Sequence, residues 1–532
     1  MSDVLGNSPV SSRDNNVVVV FSKGVSALLM FIATCCFWNL YSYFTSPLRK
    51  YPGPFFARWT RLWYLYQSWT GDSHLELYRL HQKHGPIVRT GPNMIDVDLP
   101  ELMCTIFHIR NGWPKTEFYH GSSALMDDGQ IVYNLFSQTD PKKHKKEKGP
   151  IAKHYSTASI ADLEPHMNTM IEMLCSQLET RCLGGAEAPN EFDLSDWILY
   201  YAWDVIGAVT FSEPIGYLAK GCDFDGTLRN AKKAMDYFVV VGAMPFLDYF
   251  FDKNPFLRMG PPGFNTITDI CVQRLNYRLN DWSGGKDSGY HDPKTPDFLD
   301  HFIKAMELNP DRVTEQQIIS WLMINMIAGA DTTASTICSA FYHSLKNPSV
   351  WEKLTAEILA HNLHTPATYK DARALPYVDA VIREAIRVLP GVSMPLKRYV
   401  PRGGVNLRNG DYIPGGVVIG MNPYITNRNP TIYGEDPDKF RPERWLRDEK
   451  GDETEEAFQS RLKDMNKHNL SFGGGSRVCI GKDMALFQVY KVLVTLITRF
   501  KIELVDPKQW RVTNSWFIRQ EGLKVRMMKR QP

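Results

Sequence analysis

Three consecutive glycines beside a lone cysteine constrain this chain more than any other feature. The stretch Ser471-Phe-Gly-Gly-Gly-Ser-Arg-Val-Cys-Ile-Gly481 runs into a segment that is apolar at helical spacing, with Met484, Leu486, Phe487, Val489, Tyr490 and Leu493 between Lys482 and Phe500. Cys479 therefore sits where a loop meets a helix N-terminus, whose dipole and free backbone N–H groups favour thiolate over thiol. The glycines remove side chains and let the backbone press against something flat and bulky. An inert, buried cysteine in a glycine turn is the competing reading.

Phe472 at one end of the loop and Arg477 two residues before the sulfur suit a large, planar, anionic cofactor. Iron in haem, held by a cysteine thiolate, meets that description. A second stretch supplies matching chemistry. Thr314 to Lys346 reads as one long helix, apolar in its middle through Ile318, Ile319, Trp321, Leu322, Ile324, Ile327 and Ile337, yet it carries Ala328-Gly-Ala-Asp-Thr-Thr333. An acid and two threonines inside an apolar helix are costly unless satisfied, and a local breach of this kind is expected at a functional site. Asp331 can relay protons from solvent, Thr332 can donate a hydrogen bond to a reacting oxygen, and Gly329 leaves room for oxygen beside the helix. A kink or capping threonine in a core helix is the bland alternative.

In order and spacing, Phe472, Gly475, Arg477, Cys479 and Gly481 resemble the haem-ligand signature of the cytochrome P-450 family, the haem-thiolate monooxygenases. Ala328 to Thr333 resembles that family's oxygen-activation motif at every position. The resemblance implies a mainly α fold with a smaller β part, haem b as cofactor and Cys479 as the metal ligand, with Arg477, Phe472, Gly475 and Gly481 around it. It makes Asp331 and Thr332 the catalytic pair. Arg398 resembles a haem-propionate ligand, and His144 or Lys148, in the basic run Asp140 to Lys148, takes a similar place; the family usually shows Trp or His followed by Arg there. That run is otherwise a solvated basic face, or a dock for an acidic redox partner.

Glu384 and Arg387 stand three apart on an amphipathic helix over Tyr377 to Leu389. With Arg444 of Phe440-Arg-Pro-Glu-Arg-Trp445 they resemble the family's structural triad. By position, Phe118 and Tyr119 fall in the loop that covers the haem pocket, and Phe246 in the substrate roof between Phe238 and Phe256. Ala328, Val392, Met394 and, from Val512 to Phe517, Trp516 are the remaining pocket candidates. Residues 86–97 read as a β-hairpin, the smaller β component returns near 396–423, and Asn409-Gly410 makes a tight turn.

With 532 residues and no repeat or low-complexity linker, one large domain follows an N-terminal segment. The formal charge of +3, from 61 basic and 58 acidic residues, is too balanced for a nucleic-acid binder. Nine scattered cysteines without CxxC or zinc-type spacing argue against a disulfide or zinc framework and fit a reducing compartment. Residues 1–16 are polar and read as disordered. Residues 17–44 are apolar over the about twenty positions that a bilayer requires and end in aromatics, unlike a cleaved signal peptide. Arg49, Lys50, Arg58 and Arg61 beyond them place the body in the cytosol as a single-pass signal anchor of the endoplasmic reticulum. A proline-rich hinge, 45–54, then leads to the catalytic domain, 55–532, and resembles that of microsomal family members.

The expectation is thus a membrane-anchored monooxygenase that puts one oxygen atom from O2 into an apolar small molecule by hydroxylation, epoxidation, demethylation or oxidative ring closure. Electrons would come from NADPH through the flavins of a separate NADPH–cytochrome reductase, with cytochrome b5 as a second donor. The wording of the hinge and basic helix looks most like filamentous-fungal members of the pisatin demethylase type, which implies secondary metabolite biosynthesis. Two rivals are a haem-thiolate isomerase or dehydratase working without NADPH, which has no need of the acid–alcohol pair, and a non-catalytic haem sensor.

Overall fold

The computed structural model of the chain describes residues 23–530 apart from 24, 27, 28, 31, 32, 35, 36, 39, 126–128, 184–190, 255, 261–264, 285–294 and 449–450. The expected disordered segment 1–16 and part of the expected anchor 17–44 lie outside the described residues. Described positions between 23 and 45 are helical, and Leu29, Met30, Phe37 and Trp38 among them are exposed. Among the described residues no helix is long and apolar enough to cross a membrane. The hinge is less extended than its prolines suggest. It opens with a 3₁₀ turn, Pro47–Lys50, capped by the Ser46 hydroxyl, because proline pre-sets φ for a first turn. It is also fastened to the body: Arg89 N–H donates to Pro52 O at 2.7 Å and Lys50 pairs with Asp411.

Eight of the described helices bear on the site. In chain order they are α1 (Pro141–Lys148), α2 (Leu194–Phe211), α3 (Thr227–Ala243), α4 (Phe246–Phe251), α5 (Phe298–Leu308), α6 (Glu315–Lys346), α7 (Pro376–Val388) and α8 (Lys482–Arg499). Helix α6 starts where its sequence signal lies, with Thr314 Oγ1 accepting from Gln317 N–H at 3.3 Å. It then runs for 32 residues. Helix α8 is buried almost all round from Met484 to Ile497, as expected of a helix through the middle of a core. Helices α2 and α6 press together at Gly329, where a Cβ would come within 2.8 Å of Ile206 Cδ1.

The β part is small. Strands β1 (Ile87–Gly91) and β2 (Met94–Val97) form the expected hairpin, and β4 (Val418–Gly420) joins β2 in parallel and β3 (Arg398–Tyr399) antiparallel. Asn409-Gly410 turns as expected, with Gly410 at φ +85°. A second hairpin pairs β5 (Arg511–Ser515) with β6 (Phe517–Glu521). Trp516 at its tip has φ +75°, a left-handed conformation that a bulky side chain rarely takes. The tip is anchored by a bridge between Val392 and Phe517 and by Ile518 N–H donating to Gly391 O at 3.0 Å.

Candidate functional site

The cysteine loop and the middle of α6 face each other across a cavity of about 300 Å3. Cys479, Phe472, Arg477 and Gly481 form one wall, and Ala328, Gly329, Thr332 and Thr336 the other. The loop is folded by its own backbone, with Cys479 N–H donating to Phe472 O at 2.8 Å and Gly473 at φ +71°. Cys479 is open to the cavity but enclosed by protein on its other sides. Burial pushes its thiol up, while the Gly481 backbone and the cations of Lys148 and Lys482 pull the other way. The helix-start geometry thus favours thiolate only in part, and a bound cation at the sulfur would complete the charge balance.

Gly475 has a different place from the one expected. It does not line the cavity; at φ +61° it abuts Phe107, where a Cβ would lie 2.0 Å from the carbonyl oxygen. Its lack of a side chain lets the loop dock on the segment behind it.

One side of the cavity is cationic. Arg398, Arg477, His144 and Lys148 all line it, and Lys115, which sequence reasoning missed, joins them. Arg398 donates to Tyr119 Oη at 3.0 Å and to Lys397 O at 2.8 Å; Arg477 donates to the carbonyls of Gln138 and Thr139; Lys115 Nζ donates to Phe136 O at 2.6 Å. Among the described residues, none of these three cations pairs with a carboxylate. Burial, with Arg398 and Arg477 nearby, holds the Lys115 ammonium well below its ordinary value, and burial beside Arg398 pulls Arg477 down to about 10. Burial, with the cations of Arg477, Lys115 and Lys148 nearby, lowers His144 to about 3, so its ring is neutral. Clustered positive charges on neutral acceptors are costly in a protein interior and call for an anionic ligand. A planar cofactor bearing carboxylates, with its metal over Cys479, fits this donor set; Lys115, Arg398, Arg477 and the neutral His144 ring would hold the carboxylates.

The adjoining stretch of the cavity is aromatic, with Lys115 Nζ 4.1 Å from the Tyr119 ring centroid and 4.5 Å from that of Phe136. Tyr119, Phe136, Phe238 and Trp516 line it, and the Trp516 ring lies 5.3 Å from Phe136, 5.6 Å from Tyr119 and 5.8 Å from Phe238. Ala328 and Val392 also reach the cavity. Three expected pocket residues do not. Phe118 is buried one layer behind, 5.3 Å from Trp516 and packed over Gly242. Met394 belongs to the same buried cluster and is not on the wall. Phe246 is 63% exposed, because α4 is turned polar-side inward. Its Asp248 is buried against Lys253 and accepts from Tyr237 Oη at 2.9 Å, which leaves Phe246, Tyr249 and Phe250 outside.

The acid–alcohol pair is divided. Thr332 faces the cavity, but its hydroxyl donates to Ala328 O at 2.8 Å, so lone pairs rather than the proton point to the space beyond. The expected donation from Thr332 is therefore replaced by acceptance. Asp331 does not line this cavity; its Oδ1 accepts from Trp203 Nε1 at 3.0 Å. Burial pushes its carboxyl up, against Trp203, Arg519 and Lys232. Gly329 lies on the cavity wall, but the space of its missing side chain is filled by Ile206 of α2, so it serves helix packing more than it makes room for oxygen.

Glu384, Arg387 and Arg444 form one buried network. Arg387 makes a fork to Glu384 at 2.8 and 2.7 Å, Arg444 Nε lies 3.5 Å from the same carboxylate, and Trp445 Nε1 donates to it at 2.9 Å. Arg387 also donates to the carbonyls of Asn427, Pro437 and Lys439, which ties α7 to the segment leading to the cysteine loop. Sequence reasoning also missed Tyr155 and Asn325, hydrogen-bonded at 2.5 Å on the cavity wall, and Trp203. Each lies in an ordinary apolar or loop context with no local signal.

Comparison with known proteins adds an independent line. The family model described as Cytochrome P450 matches residues 52–525. The chain is 42% identical over 498 residues to cytochrome P450 monooxygenase cfoH of Aspergillus candidus, covering 93% of this chain and 90% of that protein. It is 34% identical over 490 residues to cytochrome P450 monooxygenase cicH of Emericella nidulans, covering 91% and 94%. A 34% match to cytochrome P450 monooxygenase mpaDE of Penicillium brevicompactum covers 91% of this chain and 55% of that longer protein.

Proposed function

The chain belongs to the cytochrome P450 family and is a haem-thiolate monooxygenase, and from that premise we propose that it oxidises an apolar small molecule in a tailoring step of fungal secondary metabolism while anchored to the endoplasmic reticulum membrane. The observation that carries the reading is the pairing of Cys479 with Thr332 on opposite walls of one cavity, whose lining also joins a cluster of cations to a cluster of aromatic rings. When bound, haem supplies the activation of O2 that puts one oxygen atom into the substrate and the other into water.

The chain's own residues do the rest. Cys479 would supply the sulfur ligand to the haem iron, and the cations of Lys115, Arg398 and Arg477 would hold the cofactor's carboxylates. Thr332, whose own proton is committed to Ala328 O, would offer its lone pairs to a hydrogen-bond donor in the cavity. Asp331 brings protons from the other side of α6. The wall of Phe136, Phe238, Ile206, Ile324 and Val392 excludes water and favours an apolar substrate.

The apolar sequence of residues 17–44 and the exposed Leu29, Met30, Phe37 and Trp38 support membrane attachment. The lysines of α1 support docking of an acidic NADPH–cytochrome reductase, with cytochrome b5 as a second donor. Similarity to fungal monooxygenases supports the metabolic setting. The test is reconstitution with NADPH and the reductase under isotopically labelled dioxygen, offered metabolites that accumulate when the gene is deleted. One labelled oxygen atom in the product is expected. Product formed from a hydroperoxide alone, with no NADPH requirement, would overturn the reading.

A further inference from the structure

Asp331 opens onto a second, smaller recess on the other side of α6. Lys232 of α3 and Arg519 and Glu521 of β6 line it, with Asp196 of α2. On α6 itself, Ser335 and Cys338 continue the same face, one and two turns along from Asp331. Lys232 pairs with Glu521 at 2.8 Å and Arg519 with Asp236 at 2.8 Å. The Lys232 and Glu521 side chains are 38% and 63% exposed, so the mouth of the recess is wet. Ser335 is occupied by Gln520, whose Nε2 donates to its carbonyl and hydroxyl. The direct side-chain partner of Asp331 is Trp203, which is 1% exposed on α2.

We propose that Trp203 is a positioning residue for proton delivery, a latch that holds the Asp331 carboxylate on the wet side of α6 until it is protonated. This rests on the reading of Asp331 as the proton carrier. An indole N–H is a donor only, so it grips a carboxylate more tightly than a carboxylic acid. A proton taken from water in the recess therefore weakens the grip and frees the acid to turn towards Thr332. Once Asp331 has given that proton to the cavity side, it is again a carboxylate and Trp203 recaptures it. No oxidant or further reactant is needed; one proton enters from solvent and one leaves towards the cavity per cycle. Lys232 and Arg519, already paired, add a field that also favours the carboxylate but make no bond that fixes its direction.

Trp203→Phe removes the N–H and nearly preserves the ring, and Trp203→His keeps a donor in case the phenylalanine variant does not fold. Two readouts are taken with Asp331→Asn as reference: the pH dependence of product formed per NADPH consumed, and the infrared carbonyl stretch of protonated Asp331, assigned by its loss in Asp331→Asn. Without the indole donor the carboxylate is less favoured, so in Trp203→Phe both the alkaline fall in coupling and the carbonyl titration move up by about one pH unit. Trp203→His lies between it and the native protein. If Asp331→Asn loses coupling while the titration stays unmoved in both Trp203 variants, the latch is overturned and the role of Asp331 stands. If Asp331→Asn keeps native coupling and pH profile, the proton-carrier reading fails and the latch fails with it.

Discussion

Asp331 and Thr332 are adjacent in sequence but open onto different spaces: Thr332 lines the large cavity, whereas Asp331 lies in the outer recess, bound to Trp203 at 3.0 Å. One residue along an α-helix is a rotation of about 100°, which suffices to put neighbours on two faces. Helix α6 is therefore a partition, with the acid on its wet side and the alcohol on its reactive side.

Thr332→Ala is expected to keep the fold and lose coupling. The substitution removes a side-chain bond to the helix's own backbone, and alanine is the better helix former, so thermal stability should stay within about 0.5 kcal/mol. Without the accepting oxygen, protons are misdirected, and product per NADPH should fall about tenfold or more while hydrogen peroxide rises. Simultaneous assay of NADPH, product and peroxide checks this; unchanged coupling would remove Thr332 from the mechanism.

The cationic side makes a prediction with opposite signs in the two forms of the protein. Lys115 is buried near Arg398 and Arg477 without a carboxylate partner, so Lys115→Met should relieve repulsion and raise the thermal midpoint of the haem-free protein. The same change removes a partner for a haem carboxylate and should weaken haem binding about tenfold, or about 1.4 kcal/mol. Haem titration and calorimetry of the two forms measure both signs.

What could be read from sequence follows the range of the interaction. The start of α6 at Thr314, the cysteine at the head of α8 and the Glu384–Arg387 pair all depend on spacings of a few residues, and the structure places them as those spacings imply. Phe246 and Phe238 lie in one apolar run that does not distinguish them. Pro245 breaks that run, and the buried Asp248–Lys253 pair, a tertiary feature, turns Phe246 outward. Gly475 carries the same ambiguity: a glycine marks a close approach without saying to what, and here the approach is to Phe107. Lys115 and Trp203 acquire their places only when distant segments meet, so no local pattern marks them.

The Glu384 network predicts an acid-sensitive scaffold. Burial alone would raise the Glu384 carboxyl, but Arg387 and Arg444 outweigh it and hold it below its ordinary value. A group depressed in the folded state contributes stability above its unfolded pKa and loses it as pH falls through the folded value. Arg387→Ala should cost about 3–5 kcal/mol at neutral pH, because it strands a buried carboxylate. The difference between variant and native protein should narrow as pH falls, first above about pH 4.5, where the stranded Glu384 of the variant takes up a proton, and then below it, where the native protein loses the pairing. Thermal midpoints across that range decide it; a gap independent of pH would mean that packing alone accounts for the loss.

The two aromatics that sequence grouped as pocket residues should now separate. Trp516 touches three other wall rings from a strained hairpin tip, whereas Phe246 faces outward. Trp516→Ala removes the shared partner of that wall and should change which of a set of apolar ligands shifts the haem absorption band, with affinity for planar aromatic ligands falling about tenfold or more. Stability should fall as well, by about 3–5 kcal/mol for so large a buried ring, with no relief of the left-handed backbone, because alanine keeps the Cβ that makes it costly. Phe246→Ser should leave ligand spectra and stability nearly unchanged, since it exchanges one exposed side chain for another. Equal effects of the two substitutions on ligand affinity would show that α4 rearranges to bring Phe246 into the pocket, contrary to the inward-facing Asp248 that holds it outside.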